Sequence, residues 1–245
     1  MLNITTRQEL LSRIVDTLGI VVEDARFDFD ENGLSVRVVD PSHVAMVKLD
    51  VDSAVFDSWE VEETKIGLEL KKLKETLGLG SAGDLLTMEY KPGVGDFHMN
   101  MRKAKRDVRP LDSSTINPPN LPDLTMPCSV TIGGAQFAEA LRAAQLVGDL
   151  VTLSIDQDRF IVNVKGNADS VTVPFDKEEL QDLKCESPAL SQYSLTYLVP
   201  LSKIFGSLES VTVSFGENFP LSMDFEFPND EGTVKYFLAP RVESD

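Results

Sequence analysis

The chain has little of the chemistry that most catalytic and metal sites require. It contains only two histidines, His43 and His98, and neither has neighbours at the spacing of metal ligands. Metal centres and catalytic triads are therefore disfavoured. A glycine-rich phosphate loop is also missing, since Gly93-Val94-Gly95 separates two alternating runs and is typical of a hairpin turn. We expect no cofactor and no bound metal.

Cysteine and long apolar runs are scarce as well. The two cysteines, Cys128 and Cys185, allow at most one disulfide, and a chain of this size does not need one, so we expect both to be reduced. No apolar run reaches the length of a membrane span, and residues 1–7 lack the basic and then apolar pattern of a secretory signal. The sequence thus predicts a soluble, intracellular protein without a membrane partner.

Basic residues are outnumbered by acidic ones. Lys and Arg total 23 against 40 Asp and Glu, which gives a formal net charge of -17. Proteins that hold nucleic acid by bulk attraction carry a clustered positive field instead. Any contact with DNA must therefore be made by a few local side chains.

A long internal repeat is the main feature that the sequence does contain. Shifting the first half by 126 positions (137 − 11) aligns Leu11 with Phe137, and it aligns the alternating runs 25–29 and 34–38 with 151–155 and 160–164. The acidic turn at 30–33 falls on 156–159. So long a period indicates two copies of a whole domain rather than a solenoid. We predict an α+β fold of two similar sheet-plus-two-helix domains, residues 1–109 and 127–245, joined by a connector at 110–126.

Periodicity predicts four helices among many strands. The first helix is expected to begin at Thr6, with Glu9 completing a capping box, and to bury a stripe from Leu10 to Leu18. Further helices are expected over residues 70–79, around 137–144 and over 195–207. Alternation of period two predicts strands at residues 46–51, 85–90, 97–101, 171–175, 211–215, 221–227 and 234–238.

Two segments depart from this pattern. The connector is rich in Pro, Ser and Asn but carries the apolar residues Ile116, Leu121 and Leu124, which suggests a strap lying on a surface rather than a solvated linker. The basic run at 102–109 has the composition of a nucleic-acid patch. Because it continues the strand at 97–101, we interpret it as part of that sheet instead.

Catalysis by a carboxylate-dependent metal nuclease, or by another acidic enzyme, is the alternative to a binding function. Asp28 with Asp30, or Asp50 with Asp52, could hold a metal as paired carboxylates. Each pair lies at spacing two on an alternating strand whose other face is apolar, which is typical of a solvated sheet face. We therefore expect no catalytic residues.

Two separated motifs carry a family resemblance. The run GLSVRVVDPSHVAMV at residues 33–47 and the tail YFLAPRVE at 236–243 closely resemble the DNA sliding clamps of archaea and eukaryotes, the proliferating cell nuclear antigen (PCNA) family. The resemblance covers essentially the whole chain, and the short tail after Val242 is typical of the archaeal type. It implies a homotrimeric ring of six domains, with helices lining a central hole, sheets forming the outer wall, and duplex DNA passing through. It also implies a processivity factor for DNA replication and repair, located at the archaeal nucleoid in the cytoplasm, or in the nucleus of a eukaryote.

The resemblance further implies three sets of functional residues. The DNA-facing helix residues would be Arg13, Lys71, Lys74, Arg142 and Lys203, with Leu146 standing where some relatives carry a basic or polar residue. An outer groove between connector and tail would bind the PIP-box motifs of DNA polymerase, clamp loader (replication factor C), flap endonuclease and DNA ligase. Its residues would be Val39, Ser42, His43, Val44, Met46, Leu121, Leu124, Pro220, Phe237, Ala239, Pro240 and Val242.

The edge strand that continues the basic run would pair head to tail with residues 169–175 of the next subunit. The interface residues would be Lys105, Arg106, Val108, Arg109, Glu139, Asp169, Val171 and Val173.

Overall fold

Two compact units make up the chain. The computed structural model describes residues 1–241. The first unit comprises Met1–Asn120 and Phe227–Thr233, and the second comprises Leu121–Glu226 and, of the described residues, 234–241. The division after residue 120 falls within the segment predicted as a connector. A short stretch late in the chain belongs to the first unit.

The first unit is built from antiparallel strands and a pair of helices. Its strands are β1 (Leu2–Arg7), β2 (Asp24–Phe29), β3 (Gly33–Val39), β4 (Ala45–Asp52), β5 (Ser58–Val61), β6 (Thr64–Glu69), β7 (Leu85–Tyr90), β8 (Phe97–Met101) and β9 (Ala104–Val108). Its helices are α1 (Gln8–Leu18) and α2 (Leu70–Leu77). Neighbouring strands follow the orders β5-β1-β7-β8-β9 and β4-β3-β2-β6.

The second unit repeats this plan. Its strands are β10 (Cys128–Ile132), β11 (Leu150–Ile155), β12 (Arg159–Lys165), β13 (Ser170–Asp176), β14 (Asp182–Cys185), β15 (Ala189–Ser194), β16 (Val211–Phe215), β17 (Leu221–Glu226) and β18 (Thr233–Leu238). Its helices are α3 (Gly134–Gln145) and α4 (Leu195–Phe205). The strand orders β14-β10-β16-β17-β18 and β13-β12-β11-β15 match those of the first unit one for one.

The acidic turns show that the repeat extends to local geometry. The Asp30 carboxylate accepts the backbone N–H of Asn32 at 2.7 Å and of Gly33 at 3.1 Å. Asp156 accepts the N–H groups of Asp158 at 2.8 Å and Arg159 at 3.0 Å. The two-domain α+β prediction is therefore confirmed down to individual hydrogen bonds.

Each core lies where the period-two pattern predicted it. The aligned runs contribute the fully buried side chains Phe27 and Leu153, and Val36 and Val162, while the intervening residues are half-buried or exposed. Burial of these alternating apolar faces is the main favourable contribution to folding. The helices of each unit pack against each other and against the strands.

Helix boundaries differ from the predicted ones: α2 ends at Leu77 and not at residue 79, α4 ends at Phe205 and not at residue 207, and the start of α1 differs as well. The first helix begins at Gln8 rather than Thr6, because Thr6 belongs to β1, which pairs with β5 and β7. No capping box forms there, since Thr6 Oγ1 points to the Arg7 carbonyl. The Glu9 carboxylate instead accepts the N–H of Gly83 at 2.7 Å, and this hydrogen bond lowers its pKa.

The connector and the hairpin turn behave as predicted. The N–H of Leu111 donates to the Gly67 carbonyl at 2.9 Å, and the Ile116 carbonyl accepts from Arg26 Nη1 at 3.5 Å. The first part of the connector therefore lies against β6 and β2 as a strap. Gly93 and Gly95 have φ values of +75° and +133° between β7 and β8. Glycine suits such left-handed turn positions because it lacks a Cβ.

Candidate functional surfaces

Arg13 lies on the polar face of α1, but its guanidinium forms an ion pair with Glu231. Nη1 lies 2.6 Å from Oε2 of Glu231, whose side chain is only 7% exposed. Arg7 approaches the other oxygen of the same carboxylate at 3.9 Å. Glu231 belongs to the segment 227–233 of the first unit. Arg13 therefore compensates a buried negative charge, which its position on the helix did not indicate.

The other two basic candidates of the first unit lie on α2. Lys71 is exposed and has no ion-pair partner within residues 1–241. Lys74 Nζ lies 2.6 Å from Asp16 Oδ1 of α1, with both side chains well exposed. An exposed pair of this kind contributes little free energy, so Lys74 can exchange partners readily.

In the second unit, Arg142 and Lys203 lie on the exposed faces of α3 and α4. Within the described part of the chain neither side chain has an ion-pair partner. Leu146, the C-cap residue of α3, is 85% exposed. Its helices thus carry these two available cations, and a large apolar side chain is exposed at the C-terminal end of α3.

The loop between β3 and β4 is organised by Asp40. Its buried carboxylate accepts the N–H groups of Ser42 at 3.1 Å, Val44 at 2.6 Å and Ala45 at 2.7 Å. The backbone N–H of His43 donates to the Asp40 carbonyl at 2.9 Å, and His43 adopts a φ of +56°. Ser42 and His43 are therefore presented to solvent in one conformation. Asp40 was missed by the sequence analysis, although an Asp-Pro-Ser turn at the end of a strand was a usable signal.

The remaining groove candidates of the first unit flank this loop. Val39 and Met46 lie opposite each other on β3 and β4, and both are half-buried, as is Val44. Half-buried apolar side chains beside a fixed loop form an accessible, preorganised surface.

The groove candidates of the second unit differ in accessibility. Leu121, Leu124 and Pro220 are half-buried, as are Ala239 and Pro240. Phe237 is only 7% exposed, and Lys235 Nζ lies 5.7 Å from its ring centroid, so the ring is part of the core rather than an open surface. The tail is held by a hydrogen bond of 2.7 Å from the Arg241 N–H to the Gln192 carbonyl. Val242 lies outside the described residues.

β9 is an edge strand of the first unit, paired on one side with β8. The two-residue turn 102–103 places Met101 opposite Ala104. Because hydrogen-bonded and non-hydrogen-bonded pairs alternate along such a hairpin, the N–H groups of Lys105 and Asp107 point away from β8. The predicted edge at the basic run is confirmed.

The side chains of β9 have different environments. Arg106 donates to the carbonyl of Lys72, to Thr76 Oγ1 and to Glu75 Oε2 at 2.9 Å, and the last bond lowers the pKa of Glu75. Val108 is buried in its own unit, whereas Lys105 is exposed and Arg109 is 89% exposed. Arg106 and Val108 thus anchor the strand, and their role in an interface stays a prediction.

His98 of β8 lies opposite Asp107 of β9 and shares a hydrogen bond with it through Nδ1. This bond raises the pKa of His98. The pair joins the edge strand to its neighbour at the surface.

β13 is the corresponding free edge in the second unit, paired on one side with β12. Val171 and Val173 share its apolar face and are half-buried, while Thr172 and Asp169 are exposed. Glu139 is exposed on α3, without an ion-pair partner among residues 1–241. The partly uncovered apolar face of an edge strand is suited to association.

The carboxylates of the nuclease alternative have structural partners. Asp28 accepts two hydrogen bonds from Arg26, at 2.8 Å and 2.9 Å. Asp50 accepts from Ser35 Oγ at 2.7 Å and pairs with Lys48 at the same distance. Across residues 1–241 no group of three or more His, Cys, Asp or Glu is placed to hold a metal ion. In the same range no helix is both long and apolar enough to cross a membrane.

Comparison with known proteins supports the resemblance over the full chain. Residues 1–112 match the family described as "Proliferating cell nuclear antigen, N-terminal domain". The chain is 34% identical over 238 residues, 97% of each chain, to the DNA polymerase sliding clamp of Methanosarcina barkeri. It is similar to the solved structure of A. fulgidus PCNA with the C-terminal region of FEN-1 bound, with a TM-score of 0.94, 29% identity and full coverage of both chains. PCNA of Thermococcus kodakaraensis shares the fold, with a TM-score of 0.88 and 24% identity over 98% of this chain and 100% of that chain.

Proposed function

This chain belongs to the proliferating cell nuclear antigen family of DNA polymerase sliding clamps, and from that premise we propose that it forms a homotrimeric ring that encircles duplex DNA and keeps DNA polymerase on its template. Its two clamp domains are residues 1–109 and 127–245, with 110–126 as connector. It has no catalytic residues of its own and needs no cofactor. It acts in DNA replication and repair, in the cytoplasm at the nucleoid of an archaeal cell.

The observation that carries the DNA assignment is a set of available cations on the helices of a strongly acidic chain. Lys71, Arg142 and Lys203 are exposed and without ion-pair partners within residues 1–241, although the net charge is -17. A closed ring holds DNA topologically and does not need the many phosphate contacts that make binding tight and salt-sensitive. A few transient backbone contacts centre the duplex without reading its sequence.

Ring closure is assigned to the two free edges. The outward N–H groups of β9 pair with β13 of the next copy, while Lys105 and Arg109 face Asp169 and Glu139 across the seam. Val171 and Val173 lose their remaining exposure there. Each subunit contributes one edge of each kind, so the contact is heterologous and closes when the rotation between copies suits a ring.

Partner recruitment is assigned to the loop organised by Asp40 and to the half-buried apolar residues of connector and tail. The A. fulgidus clamp binds the C-terminal region of FEN-1, and we assign the same kind of ligand to this chain. PIP-box segments of DNA polymerase, clamp loader (replication factor C), flap endonuclease and DNA ligase would insert apolar side chains beside Met46, Leu121 and Leu124. Adaptable Met side chains suit such a surface.

The experiment that tests the ring compares closed circular with linear DNA. After loading by a clamp loader, the protein should stay on circular DNA. It should leave once that DNA is cut, because the ring can slide off the free DNA ends. Light scattering should give the mass of three chains. Equal retention on circular and linear DNA would refute topological binding.

Recruitment is tested with a matched pair of leucine variants. Leu124→Ala should weaken the binding of a PIP-box peptide at least tenfold, whereas Leu190→Ala, at a side chain that is 51% exposed on β15, should leave it unchanged. The expected loss corresponds to about 1.4 kcal/mol or more, which exceeds the roughly 1 kcal/mol that most interface side chains do not reach when truncated to Ala. Equal affinities for the two variants would refute the groove assignment.

A further inference from the structure

The two cysteines of the chain meet across neighbouring strands of the second unit. Cys128 begins β10 and Cys185 ends β14, and the two residues are directly opposed in the antiparallel register. Their Sγ atoms lie 3.0 Å apart, and both are free thiols. They are 57 positions apart in the sequence, so only the sheet brings them together.

The register places them in the type of pair that suits a cross-strand disulfide. The N–H of Glu186 donates to the Pro127 carbonyl at 3.1 Å, which makes the adjacent pair, Cys128 and Cys185, the non-hydrogen-bonded kind. Opposed Cα atoms in such pairs are about 4.5 Å apart, which falls within the range of roughly 4.4–6.8 Å that disulfides span. The register therefore suits a disulfide, and the sulfurs, now 3.0 Å apart, must approach by about 1 Å to form the bond.

The surroundings define how the two thiols differ. Cys128 is 1% exposed, whereas Cys185 lies on a strand with a free edge and is partly accessible. The carbonyl of Ser187 accepts from both thiols at 3.1 Å. Burial is the first cause that raises the pKa of Cys185, to about 12, and the neighbouring thiol adds to it.

We propose that Cys128 and Cys185 form a redox site that hydrogen peroxide converts to an intramolecular disulfide. The partly accessible Cys185 sulfur attacks the peroxide oxygen, the O–O bond breaks, and a sulfenic acid and water are formed. Cys128 then attacks the sulfenic sulfur, the S–O bond breaks, and a second water leaves. Two thiols and one peroxide thus give one disulfide and two waters, with the sulfurs oxidised and the peroxide reduced.

The disulfide would link β14, an edge strand, covalently to β10, the strand that follows the connector. In the chain β14 comes directly after β13 and its short turn, so the bond also limits local opening of that region. Because the thiolate is the reacting form, the high pKa of Cys185 makes the reaction slow near neutral pH. The disulfide therefore forms under sustained oxidation and stabilises this part of the fold, and the site does not act as a fast redox sensor. This inference requires neither the ring nor DNA binding.

The test uses the full-length protein, freed of reductant and treated with hydrogen peroxide. We expect both thiols to disappear together, the intact mass to fall by two hydrogen atoms, and peptide mapping to show Cys128 joined to Cys185. The rate should increase from pH 7 to pH 9, and dithiothreitol should restore both thiols. The oxidised protein should melt roughly 5 °C or more above the reduced protein, since a cross-link reduces the entropy of the unfolded chain.

Controls separate this site from general thiol damage. The same treatment in urea should give much less of the Cys128–Cys185 link, because unfolding removes the opposed register. Cys185→Ser, a change at the accessible edge, should remain monothiol and show no rise in melting temperature with peroxide. Recovery of both cysteines as free thiols, as sulfinic acids or only as links between chains would overturn the proposal.

Discussion

Arg13 Nη1 lies 2.6 Å from Oε2 of Glu231, although the two residues are 218 positions apart in the sequence. The carboxylate is 7% exposed and the guanidinium side chain 35%. Removing one partner of a buried pair leaves an uncompensated charge, which costs more than the pair contributes. Arg13 is therefore a structural residue of the first unit, whatever contact it also makes with DNA.

Arg13→Ala should lower the free energy of unfolding by about 1–2 kcal/mol, less than the loss at a fully buried pair because solvent screens the exposed guanidinium. Lys71→Ala is the control and should stay within about 0.5 kcal/mol of the unmodified protein. Urea denaturation at one fixed protein concentration measures both. Adding Glu231→Gln to Arg13→Ala should recover part of the loss. Equal stability of Arg13→Ala and Lys71→Ala would contradict the role assigned to the ion pair.

The joint replacement of Lys71, Lys74, Arg142 and Lys203 by Ala should weaken clamp loading and shorten retention on circular DNA, most strongly at low salt. Each single replacement should do little, because fields from exposed charges are screened over about 10 Å at moderate salt and only their sum acts on the duplex. Arg13 is left in place to preserve stability.

A charge-matched control is available for that variant. Lys91, Lys103, Lys165 and Lys177 are exposed and lie outside the helices α1 to α4. Their joint replacement by Ala changes the net charge equally and should leave retention near normal. Equal defects in the two fourfold variants would mean that net charge, and not the helix faces, acts on DNA.

Asp40→Ala should weaken PIP-box peptide binding about tenfold and lower stability by about 1–3 kcal/mol, because three backbone N–H groups lose their acceptor. Asp52→Ala serves for comparison, since Asp52 accepts one backbone N–H, that of Ala54. Calorimetric titration gives the affinity, and circular dichroism verifies folding. A folded Asp40→Ala protein with unchanged affinity would show that the loop does not shape the binding surface.

Lys105→Pro should weaken the trimer at least tenfold while leaving the subunit folded. Proline removes the outward N–H of β9 and spares the bonds to β8, and edge strands tolerate proline at such positions. Lys105→Ala removes the side chain alone and should have a smaller effect. Mass measured over a range of protein concentrations distinguishes them. A trimer that resists dilution equally in both variants would exclude pairing through this edge.

The His98–Asp107 hydrogen bond raises the pKa of His98, so the NMR titration midpoint of His98 should lie above the unperturbed value of about 6.5. The sign of the resulting pH dependence of stability follows from linkage. The contribution of the pair to stability is fully present below the unfolded pKa and is lost as the pH rises through the folded pKa. Asp107→Asn should return the midpoint towards the ordinary value. If the midpoint does not change with Asp107→Asn, this hydrogen bond is not the cause of the raised pKa of His98.

Sequence patterns alone specified the repeat and most strands, whereas the free edge at β9 was implied by the family resemblance. The bounds of β7, β8 and β16 agree with the alternating runs because burial on one face of a strand imposes a period of two, and that signal is local. The predicted start of α1 is wrong because it also rests on a local signal. Thr6 has good capping chemistry, but its place in β1 depends on pairing with β7, which comes much later in the chain.

The tertiary structure decided the features that join distant residues. Nothing local indicates that Glu231 meets Arg13, that the Phe237 ring is buried, or that Cys128 opposes Cys185. Each follows from strand register and from the packing of whole elements, which a one-residue shift would abolish. The sequence therefore determined which residues could be buried and which elements repeat, and the assembled units alone determined which charges, thiols and N–H groups have partners.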